Sequence, residues 1–373
     1  MTARKKNRSI DLSDLATDCA RLPWEPLVSA VTEVLADAKH VPRPASQPRK
    51  AREAAKRKRR TRHRCRGCPR GANPSARALA SQRRKVIYID LITDWNRSEQ
   101  TVLDAVAAGF NVINLAFYLS DRGPWDAALA WANLSEQVKR QTMDAVHAAG
   151  AVVLVSLGGA TDHPYGKDPA ALGTEVAQWA VANLLDGVDY DLEGLQPGFV
   201  AAPELPTTAQ LLQWLSTLNS STRAVLGPDR YLTHAPQAPY LGQVGAQGTW
   251  AGPSGGYSAV YLDAKGSVDW LNVQFYNQSS SCYQNYTGIF VAPCASFPTT
   301  AISQLHATGL PYEALVLGMP VAPGDGNPPF PTASQLHDIV GQAQTDLGWD
   351  AGVMGWQWHA SGSAATWIQT IYP

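Results

Sequence analysis

The sequence predicts an α/β chain in which a TIM (β/α)8 barrel follows a basic, largely disordered N-terminal arm, and three observations lead there. From Val86 onward, eight short apolar runs alternate with amphipathic stretches, the pattern of successive β/α units. Those units fill residues 86–373, a size that matches a closed barrel better than an open doubly wound sheet. The formal net charge of zero also conceals a division: residues 1–85 hold 23 Lys/Arg against 7 Asp/Glu, and residues 86–373 hold 8 against 24. A +16 segment is thus joined to a −16 segment near residue 85. The expected domains are a 1–85 extension and an 86–373 barrel.

In chain order, strands are expected at Val86–Leu91, Val112–Tyr118, Val152–Leu157, Gly187–Leu192, Tyr231–Ala235, Trp270–Gln274, Ala314–Met319 and Gly352–Trp356. Between them, helices are expected at Ser98–Ala108, Ser135–Ala149, Thr174–Leu185, Thr208–Ala224 and Thr332–Leu347. Ser98, Ser135, Thr174 and Thr332 suit N-caps, because a hydroxyl oxygen there accepts a free first-turn N–H. Gly109 and Gly150 suit helix C-termini, where the chain turns left-handed. With 45% hydrophobic residues the chain can bury a sizeable core.

The arm has one helical piece, Glu25 to Lys39, where Leu27, Val31 and Val34 to Leu35 recur at helical spacing. Pro42, Pro44 and Pro48 follow, then the basic run Lys56 to Arg64. Such composition buries too little apolar surface to offset its ordering entropy, so disorder is expected. Clustered cations suit a nuclear-localisation or nucleic-acid-binding arm, since they release phosphate counterions. A solvated charged tail explains the run better, because no aromatic residues interleave it, and a nucleic-acid partner is not expected.

Cys65-Arg66-Gly67-Cys68 has half a zinc spacing but no second pair, with only His63 near, so no metal or other cofactor is expected. Five cysteines are too few for a disulfide scaffold; Cys282 and Cys294, close in one loop region, either bridge or stay free. No apolar stretch approaches the ~20 residues of a membrane span, and no ordinary signal peptide is visible at the N-terminus. No membrane partner is expected.

The richest stretch is Asp186-Gly187-Val188-Asp189-Tyr190-Asp191-Leu192-Glu193. Successive strand side chains point to opposite faces, so Asp189, Asp191 and Glu193 share one face while Val188, Tyr190 and Leu192 share the other. Burying like charges together raises their pKa values and destabilises the fold, so the arrangement reads as an active-site strand. In a barrel, function sits at the C-terminal ends of the strands, where Glu193 lies. Other strand ends supply Gln274, Phe275, Tyr276 and Asn277; Trp356, Gln357 and Trp358; and Ser156, Leu157, Gly158 and Gly159. Aromatic faces, amides and a bare glycine backbone suit a sugar. Trp95, Tyr118, Trp250 and Trp358 are weaker cleft candidates, and Asp186 serves the strand entrance rather than a substrate.

The Asp-x-x-Asp-x-Asp-x-Glu pattern of Asp186, Asp189, Asp191 and Glu193, with Ser156-x-Gly158-Gly159, resembles glycoside hydrolase family 18, the chitinases and related endo-β-N-acetylglucosaminidases. Tyr231 to Pro239, Gln274 to Asn277 and Gly352 to Trp356 are similar to the small-barrel chitinases of plants and fungi. The resemblance covers Val86 to Pro373 and none of the arm. It implies retaining, substrate-assisted hydrolysis of β-1,4 bonds between N-acetylglucosamine units of chitin or a related glycan.

In that family scheme Glu193 protonates the leaving oxygen and later activates water, while the substrate's acetamido oxygen attacks the anomeric carbon. Asp191 holds the acetamido N–H, Asp189 shares a proton or hydrogen bond with Asp191, and Tyr276 binds the acetamido oxygen. Gln274 and Asn277 support them, Trp356 is the sugar platform, and Ser156, Gly158 and Gly159 shape the floor. The resemblance also implies extracellular placement, whereas the N-terminal sequence leads to no expectation of an export signal; a monomer is expected.

The chain departs from the family in its first strand, Tyr88 to Trp95, which lacks the Tyr-Trp-Gly-Gln run of the plant enzymes. No α+β subdomain is expected after the seventh strand, which favours a shallow cleft and internal cleavage; no carbohydrate-binding module is expected after the barrel. An endo-β-N-acetylglucosaminidase acting on N-glycan cores shares the same catalytic strand. A silent chitin-binding lectin would keep the barrel but usually replaces the acid, whereas Glu193 is present.

Overall fold

A computed structural model describes residues 82–92, 94–195, 204, 207–242, 256–263, 266–278 and 281–373. The expected helix Glu25 to Lys39, the basic run Lys56 to Arg64, Cys65, Cys68 and Trp250 lie outside the described residues. Eight parallel strands form the barrel: β1 (Arg84–Ile89), β2 (Val112–Leu119), β3 (Val152–Gly158), β4 (Gly187–Asp191), β5 (Tyr231–His234), β6 (Trp270–Gln274), β7 (Leu315–Pro320) and β8 (Gly352–Trp356). Each pairs with its successor, and β1 pairs with both β2 and β8, which closes the sheet. Closure leaves no edge of unpaired N–H and C=O groups. A two-residue strand, Gly123–Pro124, adds to β2 in antiparallel fashion.

The described helices are α1 (Ser98–Ala107), α2 (Asp126–Ala132), α3 (Glu136–Ala148), α4 (Pro169–Ala182), α5 (Thr208–Leu226), α6 (Ala238–Leu241), α7 (Gly256–Asp263), α8 (Ile302–Ala307), α9 (Ala333–Leu347) and α10 (Ser363–Ile371). Strands covered on one side by helices and on the other by the barrel interior are buried on both faces. That is why β3 reads Val-Val-Leu-Val-Ser-Leu-Gly, buried throughout, instead of alternating with polar residues.

Two expected caps and one boundary are corrected. Ser135 and Thr332 do cap α3 and α9, accepting from the N–H of Val138 and Gln335. Thr174 instead lies inside α4, which starts at Pro169: proline's fixed φ suits the first helical position, and the Asp168 carboxylate accepts from Ala171 N–H at 2.7 Å. Ser98 is the first helical residue of α1, buried, and donates to the Ala130 carbonyl. The first strand takes in Arg84 and Lys85, which the charge division places in the arm. Arg84 tolerates burial because its guanidinium donates to the Ala351 and Glu313 carbonyls and lies 5.0 Å from the Trp270 ring centroid. Burial still lowers its pKa to about 10.

Cys282 and Cys294 form a disulfide. Residues 321–332, between β7 and α9, contain neither helix nor strand, so no subdomain is inserted there. Asp186 sits at the entrance to β4, where its carboxylate accepts from Val153 N–H at 3.0 Å and meets His147 Nε2 at 2.9 Å. The Asp186 contact outweighs desolvation and raises the His147 pKa.

A raised histidine pKa contributes stability that is complete below its unfolded value, about 6.5, and is lost as pH rises through the folded value. Asp186→Asn keeps an acceptor for Val153 but loses the charge. Urea unfolding should therefore show wild type and variant differing most below about pH 6.5 and converging above the His147 pKa. A gap independent of pH would count against the assignment.

Candidate active site

The barrel interior at mid-height is a polar layer built on Asp189. One carboxylate oxygen accepts from Tyr88 Oη and Ser156 Oγ, each at 2.8 Å; the other accepts from Thr233 Oγ1 and from Asn272 Nδ2 at 3.2 Å. These donors come from β1, β3, β5 and β6. Asp189 is fully buried, and desolvation raises its pKa even against those four hydrogen bonds, which pull the other way.

Two residues along the strand, Asp191 lies one layer higher, where the barrel opens. The Gln274 side-chain amide donates to Asp191 Oδ1 at 2.8 Å and to the Ala235 carbonyl at 2.9 Å. Burial first, then the charges of Glu193 and Asp189, push the Asp191 pKa well up. Glu193 stands beyond the last strand residue, with its Oε2 accepting from Gln237 Nε2 at 3.1 Å. Its pKa is raised by burial and drawn back by the amides of Gln237 and Gln274 and by His163. Two interacting carboxyl groups with raised pKa values hold a proton more readily than isolated ones, the condition for acid–base work near neutrality.

Asp191 and Glu193 line a cavity of about 680 Å³ together with Gly158, Gly159, Gln274, Tyr276, Asn277 and Trp356. Tyr276 is a phenol whose burial, with the nearby Asp191, Glu193 and Asp325 charges, keeps its proton on. Asn277 adopts φ +66° and accepts from Asn327 N–H at 2.8 Å, tying the β6 exit to the loop after β7. Trp356 stacks on Phe117 with ring centroids 5.8 Å apart and planes 29° from parallel, a broad apolar floor.

The glycines are steric. Gly158 has φ +119°, and a Cβ there would lie 2.0 Å from the Asp191 carbonyl oxygen; Gly159 N–H donates to that oxygen at 2.8 Å. Ser156 and Asp189 are brought into the same centre but beneath the cavity.

The other sequence candidates fall elsewhere. Asp186 remains at the opposite end of β4. Trp358 packs edge-on against Phe110, and Trp95, 48% exposed, does not line the cavity. Tyr118 turns outward, its hydroxyl on Glu175 and its ring against Trp179. Ala116 pairs with inward-facing Ser156, but the β2–β3 register shifts at residue 117, so Tyr118 pairs with Leu157 and Phe117 takes the place at the cleft. Strict alternation in the sequence gives no sign of that bulge.

Sequence reading also missed Gln237, Trp125, Asp90 and Asp126. Asp90 follows β1 directly and lines the cavity; burial and the Asp126 charge raise its pKa to about 6. Among the described residues no group of three His, Cys, Asp or Glu side chains could hold a metal ion.

No protein-family model matches the chain. It is 29% identical over 285 residues to Endochitinase 4 of Metarhizium robertsii, covering 68% of this chain and 75% of that protein. It is 28% identical over 297 residues to Endochitinase 37 of Trichoderma harzianum, covering 72% and 80%. A GH18 chitinase from Pseudoalteromonas aurantia superposes with TM-score 0.57 at 26% identity, covering 77% of this chain and 98% of that one. The barrel is also similar, at TM-score 0.50 and 17% identity, to the xylanase-alpha-amylase inhibitor protein XAIP-I, covering 78% and 98%.

Removing the neighbouring charge should release part of the strain on Asp90. In Asp126→Asn, carboxyl-carbon NMR should find Asp90 titrating below its value of about 6, with Asp189 unmoved. An unchanged Asp90 titration would show that burial alone sets it.

Proposed function

We propose that this chain, a chitinase-type glycoside hydrolase of family 18, cleaves β-1,4 bonds between N-acetylglucosamine units with retention, the substrate's own acetamido group serving as nucleophile. In this reading residues 86–373, extended by the two residues that begin β1, are the catalytic domain, and the basic segment before them is an extension. The observation that carries the reading is the vertical order of the three carboxyl groups. Asp189 is enclosed by four donors, whereas Asp191 and Glu193 reach the cavity. A similar barrel in an inhibitor protein means that the fold alone does not carry it.

Glu193, whose raised pKa keeps a proton available, protonates the glycosidic oxygen as the bond to the anomeric carbon breaks. The acetamido oxygen closes onto that carbon from the other side. Asp191 accepts the acetamido N–H and stabilises the positive charge that grows there; a proton on Glu193 removes one of the like charges that push Asp191 toward protonation, so the pair's remaining negative charge falls to Asp191. Tyr276 donates to the acetamido oxygen and aims it, and Trp356 with Phe117 supports the sugar's C–H face. Glu193, now ionised, takes a proton from the water that opens the oxazolinium ring, which returns the enzyme to its starting state.

Glu193→Gln should lower turnover of N-acetylchitooligosaccharides by about 10²–10⁴-fold with the fold intact. Proton NMR of the first product formed by wild type should show the β-anomer. Full activity in the variant, or an α-product, would overturn the mechanism. Offering a high-mannose glycopeptide beside the chitin oligomer tests the substrate: cleavage of the glycopeptide alone would move the assignment to N-glycan cores.

A further inference from the structure

Glu193 is placed by something other than the sheet. The β3–β4 ladder ends with Gly158 opposite Asp191, and the β4–β5 ladder ends one residue earlier, at Tyr190 opposite His234. Three side chains take over, one from the segment after β3 and two from the segment after β5, at the start of α6. The Tyr165 hydroxyl donates to the Glu193 carbonyl at 2.5 Å, the Tyr240 hydroxyl accepts from Gly194 N–H at 3.1 Å, and the Gln237 amide donates to Glu193 Oε2.

Each of the three is itself fixed. Tyr165 is buried with Trp214 edge-on at 5.7 Å. Tyr240 stacks on Tyr257, which is bonded to the buried His234 at 2.7 Å. Gln237 is bridged through its backbone to Gln274, whose own amide holds Asp191. The Gln274 amide thus serves Asp191 and also acts on Glu193, while the Gln237 amide serves Glu193 alone of the two carboxyl groups.

We infer that Gln237, Tyr165 and Tyr240 are positioning residues for the reaction proposed above, and that Gln237 holds Glu193 by Oε2 so that Oε1 carries the transferable proton. An amide N–H prefers the more basic, unprotonated oxygen of a carboxylic acid, which leaves the proton on the other. The proton moves from Oε1 to the glycosidic oxygen as the C1–O bond breaks. The electron pair left on Glu193 is held by the Gln237 donor until Oε1 takes a proton from the incoming water. The inference rests on Glu193 being the acid.

The charged and titratable groups facing Glu193 are Asp191 on its own strand, His163 and Tyr165 from the loop after β3, Tyr240 from α6 and Tyr276 from the exit of β6. Gln237 counteracts burial by favouring the anion. Its removal therefore raises the Glu193 pKa.

The test uses Gln237→Met, of similar length without the donor, and Gln237→Glu, which puts a like charge in its place. On N-acetylchitooligosaccharides, Gln237→Met should lower kcat about tenfold with KM within about twofold. The alkaline limb of its kcat/KM profile should move to higher pH, and further still in Gln237→Glu. Tyr165→Phe and Tyr240→Phe, whose bonds go to the backbone, should lower kcat and leave that limb in place. The carboxyl-carbon titration of Glu193, assigned by its loss in Glu193→Gln, reads the same shift without substrate. A Gln237→Met profile and titration superimposable on wild type would overturn the inference. Wild type failing to cleave the oligosaccharide would instead sink the reaction assignment, with the titration still deciding the role of Gln237.

Discussion

A carboxylate fully enclosed in the middle of a barrel is the constraint around which this molecule is arranged. Among the described residues no cation stands beside Asp189, so hydrogen bonds offset its burial, and the four donors that supply them come from four different strands. Tyr88, Ser156, Thr233 and Asn272 meet at one point only when the sheet closes and the registers are those observed. A slip of one residue in any of these strands would turn its donor out of the barrel. The polar centre therefore specifies closure as much as the apolar runs drive it.

The same burial sets the chemistry above. The charge of Asp189 acts upward on Asp191, and Glu193 acts from the other side, so the middle carboxyl group is pressed toward protonation from both directions. Gly158 and Gly159 allow β3 to run against the Asp191 carbonyl, and the Gln274 amide fixes the side chain. Asp189, Asp191 and Gln274 are placed by strands rather than by free loops, which favours precise positioning. The exception is Glu193, beyond the ladder, which depends on side chains from neighbouring segments.

The barrel itself was legible because parallel strands covered on both faces must be apolar throughout, and runs such as Val152–Gly158 stand out between helices. The caps at Ser135 and Thr332 were legible for a local reason, a hydroxyl before a helical run. Thr174 and Ser98 were misread because the same hydroxyl signal occurs inside helices, where Thr174 donates to the Ala170 carbonyl. The Cys282–Cys294 bridge was open in the sequence, since spacing does not report distance.

By itself, the sequence determined that three acids share a face of one strand, that the strand belongs to a barrel, and that Glu193 stands at its open end, because strand periodicity is a local property of the chain. The tertiary structure decided which acid is sealed and which are open, because burial depends on donors contributed by distant strands. It also decided that Phe117 and not Tyr118 reaches the cleft, through a register shift that only the neighbouring strand reveals. Gln237, Asp90 and Asp126 acquire meaning in the same way: nothing in their own segments marks them, and closure of the barrel brings them to the cleft and its acid.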